Sequence, residues 1–355
     1  MFLSIQEMKK NKLRYGLVAL VIVMIAYLIF ILTALAFGLS NASKQAVDTW
    51  HADKIVLNAD ANGSLDQSNI EGSQAHAYTN KSRADIVQMA GNVQTTKQQN
   101  KVTAQIMGLQ KGQFIYKDLH IQKGHIFKND RQVVVDQSLL QNNGYHLGQW
   151  IKFSRTGKTY QIVGTIKNTT LNVAPVVYGT VSAIREAKFG DKNNNNVSAL
   201  VYKKAPHQKV SGTEVFNIND FIQNIPGYSA QNSTFSFMIV FLLLITLVII
   251  AIFLFVLTMQ KIPYFAVMKI QGISNSYLAF NIISTAVILT VAGIVVSGIL
   301  TALTAMSMPA AVPMTFDIRL MSLVVALLIL MSVIGAIIPM RTVSKIDPAI
   351  AMGGK

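Results

Sequence analysis

The chain has 355 residues, of which 51% are hydrophobic, and it carries a formal net charge of +15. It contains no cysteine, which excludes disulfide bonds, thiolate metal sites and cysteine nucleophiles. A strongly positive charge is a feature of nucleic-acid-binding proteins, but no motif of interleaved basic and aromatic residues accompanies it here. A basic surface that faces anionic lipid or cell wall is favoured, and no nucleic-acid partner is expected.

Four long stretches contain no Asp, Glu, Lys or Arg. About 20 apolar residues cross the hydrocarbon core of a bilayer, and each stretch contains such a segment. The predicted transmembrane helices cover residues 15–43, 233–258, 276–304 and 319–340. The predicted fold class is therefore an α-helical membrane protein with four transmembrane helices and a mixed α/β extracytoplasmic domain, residues 44–232, between helices 1 and 2. Spans without ionisable groups argue against an ion-coupled carrier or an intramembrane protease.

Basic residues in the short connecting segments predict the orientation, because such residues favour the cytoplasmic side. The cytoplasmic segments are an amphipathic N-terminal helix in residues 1–14, a loop at 259–275 and a tail at 341–355, whereas the loop at 305–318 lies outside. Both termini are then cytoplasmic. A cleaved signal peptide is the competing interpretation of the N-terminus, but the apolar run of 17–37 is long for one.

The segment between the first two spans is polar and punctuated by Gly and Asn. Short apolar runs predict strands at 132–136, 150–153, 160–166, 175–181 and 198–202. Asp136 is predicted to cap a helix that stops near Gly144, and Ser182 to cap a helix over 183–188 that ends at Gly190. A further short helix is predicted over 219–224. Residues 58–104 are interpreted as strands, in an inserted subdomain.

Motifs for bond chemistry are largely missing from the sequence. Gly157-Lys158-Thr159 is similar to the end of a phosphate-binding loop, but the required first glycine is Lys152, and a hairpin turn is favoured. The six histidines form no His-Glu-x-x-His zinc pattern, and no Gly-x-Ser-x-Gly elbow occurs. The sequence therefore predicts no catalytic residue, no metal ligand and no intrinsic cofactor.

The spans offer packing surface instead. Small residues recur every four positions on the third span, at Gly293, Ser297, Thr301 and Ala305, and such spacing lets helices approach closely. Packing within the bundle is the favoured interpretation, and a subunit interface is the alternative. The second span carries bulky Phe237, Phe241, Phe253 and Phe255, which predicts a face toward lipid or a partner.

The segment 259–274, MQKIPYFAVMKIQGIS, resembles the cytoplasmic loop of MacB/FtsX-like ABC transporter permeases. The loop departs from the family pattern at Pro263, which replaces the usual acidic surroundings. Residues 339–352, PMRTVSKIDPAIAM, resemble the closing segment of that family. Residues 11–17, NKLRYGL, and the loop are similar to the heme-efflux branch of the HrtB type. The resemblance covers the whole chain in layout.

The resemblance implies the permease half of an ATP-driven exporter in the bacterial cell membrane. Its partners would be a dimeric cytosolic ATPase, which binds the ATP, a second copy of this chain and membrane lipid. The ATPase-coupling residues would be Lys261, Ile262, Phe265, Val267, Met268, Lys269 and Gly272. A helix that seats in a partner's groove also requires an apolar face, and residues 262–271 provide one.

The heme branch implies a planar, anionic porphyrin as the exported substrate. Side chains near the outer ends of the first two spans that could stack on it or ligate its iron are Phe30, Phe37, Trp50, Tyr228, Phe235 and Met238. Aromatic residues at this level also anchor membrane helices without binding a ligand. The alternatives are a resistance exporter for antimicrobial peptides or lipid-linked antibiotics, and an FtsX-type scaffold that regulates a cell-wall hydrolase.

Overall fold

The computed structural model describes residues 2–78, 82–95, 101–206, 208–309 and 312–345. The chain divides into two compact units. The helical unit comprises Met1–Phe37, Ser233–Pro309 and Met314–Lys355, and the α/β unit comprises Gly38–Asn232 and Ala310–Pro313. Residues 96–100 of the predicted strand region and 346–352 of the closing segment lie outside the described residues.

The helices and strands follow one another along the chain with short connections. In chain order the helices are α1 (Phe2–Lys10), α2 (Lys12–Asp48), α3 (Gly72–Ala77), α4 (Phe114–Lys117), α5 (Gln137–Asn143), α6 (Val181–Phe189), α7 (Ile218–Gln223), α8 (Tyr228–Met259), α9 (Ile262–Ile270), α10 (Asn275–Ser307), α11 (Ile318–Gly335) and α12 (Ile337–Ser344). The strands are β1 (Lys54–Asn58), β2 (Arg83–Thr95), β3 (Val102–Leu109), β4 (Ile121–Gly124), β5 (Gln132–Asp136), β6 (Trp150–Phe153), β7 (Thr159–Ile166), β8 (Thr170–Leu171), β9 (Ala174–Thr180), β10 (Ala199–Tyr202) and β11 (Thr213–Asn217).

Four helical segments are long and apolar enough to cross a membrane. They are Lys12–Asp48, Tyr228–Met259, Asn275–Ser307 and Ile318–Ser344, and the last of them is formed by α11 and α12 together. Each contains one of the predicted spans. The prediction of four transmembrane helices with a mixed α/β domain between the first and second is confirmed.

Helices α2 and α10 approach each other closely in the helical unit. A Cβ atom added to Gly293 would lie 2.6 Å from Cγ2 of Ile22, so only glycine fits at this crossing. Ser297 and Thr301, one and two turns further along α10, are also buried. These three small residues therefore pack within the bundle, as the favoured interpretation expected. On α8, Phe237, Phe241 and Phe255 are exposed, whereas Phe253 packs against the core.

The α/β unit is built on an 11-stranded mixed sheet in the order β11-β1-β10-β2-β3-β9-β5-β7-β4, with β6 and β8 on side branches. The pairs β3–β9 and β5–β7 are parallel, and the other pairs are antiparallel. Successive side chains of a strand point to opposite faces. Val133 and Val135 of β5 accordingly join one hydrophobic core, and Val134 joins another. Both faces of the sheet are thus buried.

Most of the predicted elements of this unit are present. The hairpin at Gly157 is confirmed, because β6 and β7 are antiparallel neighbours. One cap was assigned wrongly: the Thr180 hydroxyl, not Ser182, accepts from the backbone N–H of Ala183, so α6 begins at Val181. The sequence also missed α3, which falls in the region interpreted as strands.

Asp136 is a buried carboxylate in the α/β unit. Its carboxylate accepts the backbone N–H of Ser138 at 2.9 Å and so caps α5, as predicted. It also accepts the backbone N–H and the hydroxyl of Thr169 at 2.8 and 2.9 Å. A buried carboxylate requires several donors to offset its desolvation, and these three bonds join α5 to the turn after β7.

Candidate coupling surface and substrate groove

The short helix α9 connects the second and third long helices and is fixed at both ends. Pro263 lies in its first turn, where a missing backbone N–H costs no hydrogen bond. The chain reverses after Gln271 through Gly272, whose φ of 86° favours glycine. Ser274 then caps α10 by accepting the backbone N–H of Tyr277. Both ends of α9 are therefore set by the local sequence.

One side of α9 belongs to the core of the helical unit. Phe265 is 2% exposed and Ala266 is fully buried. Phe265 lies in a cluster with Tyr15 of α2, Leu278 of α10 and Val343 of α12, and Met268 packs against the edge of this cluster. Residues from three other helices thus enclose this side of α9, which anchors it to the bundle.

The opposite side of α9 is apolar and exposed. Tyr264, Val267 and Ile270 are 75%, 43% and 56% exposed. Their spacing of three residues places them on one side of a helix. An exposed apolar patch on a helix between two spans is a candidate contact with a partner or with lipid. We call these three residues the coupling face.

Two lysines attach α9 to neighbouring helices. Lys261 forms an ion pair with Glu7 of α1, and its ammonium group lies 5.4 Å from the centre of the Tyr15 ring. Lys269 donates from Nζ to the backbone carbonyl of Ser344 in α12 at 3.1 Å. Lys261, which precedes the first residue of α9, and Lys269 thereby connect α9 to α1 and α12.

The structure divides the predicted coupling residues into two groups. Phe265, Met268, Lys261 and Lys269 contact other parts of the helical unit, and Ile262 is half-buried. Val267 and Gly272 are exposed. The predicted coupling residues did not include Tyr264 or Ile270. Both sides of α9 are apolar, so the sequence shows no polar face that would orient the helix.

A groove in the helical unit runs between α2, α10 and α11. It has a volume of about 470 Å³ and an almost wholly apolar lining, contributed by Phe30, Gly298, Ala302, Met306, Phe316 and Met321 among others. Small residues on α10 leave the space, since a Cβ added to Gly298 meets no atom within 4 Å. Volumes of this size and lining are typical of small-molecule sites.

The predicted substrate residues occupy different environments. Phe30 is buried and lines the groove. Trp50 and Tyr228 are buried in the core of the α/β unit, where the Tyr228 hydroxyl accepts from Ser40 at 3.1 Å. Phe37 and Phe235 are half-buried and Met238 is exposed. The sequence did not identify the groove methionines, because side chains from separate helices meet there only after folding.

One Ser–Lys pair in the α/β unit has the composition of a nucleophile and its base. Lys188 donates to Oγ of Ser198 at 2.8 Å, and burial lowers the pKa of Lys188 to about 8. Ser198 is fully buried, however, and its hydroxyl also accepts the backbone N–H of Gln88. No substrate can reach it without unfolding, so the pair is structural. Among the described residues, no three His, Asp or Glu side chains are grouped to hold a metal ion.

Comparison with protein families gives two matches that together span most of the chain. The model of the MacB-like periplasmic core domain matches residues 16–211, and the model of the FtsX-like permease C-terminal domain matches residues 236–348. The boundary between the matches falls near the start of α8.

Comparison with individual proteins gives distant relatives of the same length. A Staphylococcus epidermidis protein that carries the name hemin transport system permease protein HrtB is 23% identical over 356 residues, and one of the same name from Staphylococcus haemolyticus is 22% identical over 362 residues. Both alignments cover 100% of this chain and 99% of the relative. Among solved structures, the extracellular domain of the ABC-type transporter YknZ from Gram-positive bacteria matches with 12% identity and a TM-score of 0.32, over 43% of this chain and 84% of that chain.

Proposed function

Because this chain belongs to the family of MacB- and FtsX-like ABC transporter permeases, we propose that it is the membrane subunit of an ATP-driven exporter. The ATP would be hydrolysed by a separate cytosolic ATPase dimer, and two copies of this chain would form the membrane part. Both termini and α9 would lie in the cytoplasm, as the basic residues of these segments favour. In this arrangement the chain performs no bond chemistry and transmits a push to its extracytoplasmic domain.

The observation that carries the proposal is the two-sided packing of α9. Its coupling face, formed by Tyr264, Val267 and Ile270, is free to enter an apolar groove of the ATPase. Its buried side, which includes Phe265, would pass the movement to α2, α10 and α12. The predicted coupling residues therefore take two roles: the exposed ones touch the ATPase, and the buried or paired ones seat the helix.

The coupling role is tested by co-purification of a tagged ATPase subunit with full-length variants of this chain. We expect Val267→Asp and Ile270→Asp to reduce recovery of the ATPase at least tenfold, because a carboxylate would enter an apolar contact. Leu13→Asp, an equally drastic change at an exposed position of α2, should leave recovery unchanged. Undiminished recovery with both α9 variants would refute the assignment of the coupling face.

We propose heme or a related porphyrin as the exported substrate. The relatives named for hemin transport support this choice, as does the chemistry of the groove. Its phenylalanine rings can pack on a macrocycle, and the thioethers of Met306 and Met321 can ligate iron. Of the six predicted substrate residues, Phe30 lines the groove. Trp50 and Tyr228 would act only through the packing of their own unit, and Phe37, Phe235 and Met238 stay predictions.

The substrate is tested in cells and with the purified protein. A deletion strain should lose growth under graded heme but keep growth under graded bacitracin, and the opposite pattern would favour the antibiotic exporter. In hemin titrations followed by absorbance, Met306→Leu and Met321→Leu should weaken binding. Met259→Leu, a similar change at an exposed methionine outside the groove, should not. Equal binding by all three variants would remove the groove as the site.

A further inference from the structure

The segment that joins α1 to α2 in the helical unit carries four exposed basic side chains. They are Lys9, Lys10, Lys12 and Arg14. We call them the basic segment. Glu7 is the only acidic residue in positions 1–14, and its carboxylate is already paired with Lys261. Within the part of the chain that the structure describes, none of the four forms an ion pair. The basic segment therefore carries positive charge that no described carboxylate offsets.

Helical spacing continues across the bend between the two helices. The backbone N–H of Asn11 donates to the carbonyl of Glu7 at 3.0 Å, and the N–H of Tyr15 donates to the carbonyl of Asn11 at 3.2 Å. Residues four apart therefore lie on one side of this segment. Lys10 and Arg14 have this spacing, so their charges are presented on the same side.

An apolar stripe follows on that side of α2. Leu17, Leu20 and Met24 are each more than half exposed, and they continue the spacing of three or four residues that begins at Arg14. The opposite side of α2 is buried, for example at Ile22. Because α2 is one of the helices that can cross the membrane, the stripe faces acyl chains. Basic side chains at the end of such a helix reach the headgroups.

This arrangement matches both parts of an anionic phospholipid. Phosphate oxygens accept hydrogen bonds from an ammonium group, and they accept two at once from a guanidinium group. Acyl chains would cover the apolar stripe, which a free phosphate ion would leave uncovered. A zwitterionic lipid would bring its own cation next to the basic segment, which is unfavourable. Clusters of about four or more Lys and Arg residues beside a span are typical of anionic-lipid sites.

The basic segment is connected to α9 through α1. Glu7, three residues before Lys10, is paired with Lys261, which directly precedes α9. Met8 packs against the core cluster that contains Phe265 of α9. A lipid that holds the basic segment would therefore restrain α1 and, through these two contacts, α9.

We propose that Lys10 and Arg14 bind the phosphate group of an anionic phospholipid whose acyl chains lie along Leu17 and Leu20, and that this lipid restrains α9. The lipid would belong to the leaflet at the N-terminal end of α2. The proposal depends neither on the exported substrate nor on the binding of an ATPase.

The binding test is retention of phosphatidylglycerol against phosphatidylcholine by the purified full-length protein, counted by native mass spectrometry. Lys10→Gln combined with Arg14→Gln should lower the preference for phosphatidylglycerol about 25-fold, since each basic residue near an anionic surface contributes a factor of about five. Lys192→Gln combined with Lys209→Gln removes two exposed lysines of the α/β unit and should keep the preference. All four altered side chains are exposed, so unchanged thermal unfolding is expected and is measured in parallel.

Amide hydrogen exchange in lipid nanodiscs tests the connection to α9. Replacing part of the phosphatidylcholine by phosphatidylglycerol should slow exchange in residues 3–10 and 262–270, because exchange reports local opening. The combined Lys10 and Arg14 variant should lose both effects. Lys261→Met should keep the lipid preference but lose the effect on residues 262–270, because it removes the ion pair with Glu7.

The outcomes separate the lipid from other sources of the anion. Lipid preference that is lost only in the Lys10 and Arg14 variant, together with slower exchange in α9, supports the proposal. Binding of inorganic phosphate without a preference between the lipids would overturn the lipid as the occupant. No preference in the native protein, or an equal loss in the Lys192 and Lys209 control, would overturn the site. Lipid preference without any change of exchange in residues 262–270 would overturn the restraint of α9.

Discussion

The ion pair between Lys261 and Glu7 gives a quantitative test of how α9 is seated. Both side chains are largely buried, with 18% and 26% exposure. Exposed ion pairs contribute about 0.2–1 kcal/mol, hydrogen bonds to charged groups about 1.5–3 kcal/mol, and a cation over an aromatic ring about 0.5–1 kcal/mol. From these ranges we estimate that the ion pair and the contact with the Tyr15 ring together stabilise the docking of α1 beside α9 by about 2 kcal/mol.

Lys261→Met removes the ion pair and the ring contact and leaves Glu7 without its partner. A loss of about 2 kcal/mol corresponds to about a 30-fold rise in the population of undocked α1. Amide hydrogen exchange in residues 3–10 should accelerate by about that factor, because exchange reports local opening. The double variant Glu7→Gln with Lys261→Met should recover part of the protection, because no unpaired charge remains.

The control is Lys269→Met on the same helix, which removes a hydrogen bond to Ser344 of α12. It should leave exchange in residues 3–10 unchanged and act on α12 instead. If exchange in α1 is equally fast in the native protein and in Lys261→Met, the pair does not hold α1, and the estimate of its strength is refuted.

Three further variants test the packing and the charges elsewhere. Asp136→Ala should lower the free energy of unfolding by about 3–5 kcal/mol, because it leaves buried donors unpaired. The control Asp191→Ala, on an exposed turn, should lower it by under about 0.5 kcal/mol. Denaturant unfolding measures both values. Lys188 has its pKa lowered by burial to about 8, so the unfolded chain binds more protons between pH 8 and 10.5 and stability should rise with pH there. Lys188→Met should remove that rise relative to the native protein, and an unchanged slope would contradict the assignment. Gly293→Ala should destabilise the helical unit by about 1–3 kcal/mol through overpacking, whereas Gly298→Ala, which meets no atom within 4 Å, should be tolerated in thermal unfolding.

The sequence predicted the architecture of the helical unit because its spans obey one strong rule. A helix in lipid must be apolar over its whole length, so charge-free stretches alone locate the spans. The strands of the α/β unit that are buried on both faces, such as β5, were also predictable from short apolar runs. β11 at one side of the sheet and β4 at the other were missed, because short strands in polar sequence carry little periodicity. β1 was also missed, although its run Ile55-Val56-Leu57 is buried in the same way as β5.

The predicted coupling residues lie on or next to α9, but the sequence did not orient that helix. α9 is apolar on both sides, so the pattern cannot tell Phe265, which enters the core, from Tyr264, which faces outward. The groove was not visible for a different reason. It is formed by segments that are far apart in sequence, and only their tertiary packing brings Phe30 to Met321.

The contacts of α9 also explain how a short helix could transmit force without unfolding. A nine-residue helix is marginal on its own, so a push on its coupling face would more readily melt it than move it. Here the buried side is enclosed by three helices, and Lys261 and Lys269 attach it to α1 and α12. Displacement of α9 must then break several contacts at once or carry the neighbouring helices with it. Movement of the bundle is the expected response, since packed cores shift as units and do not deform continuously.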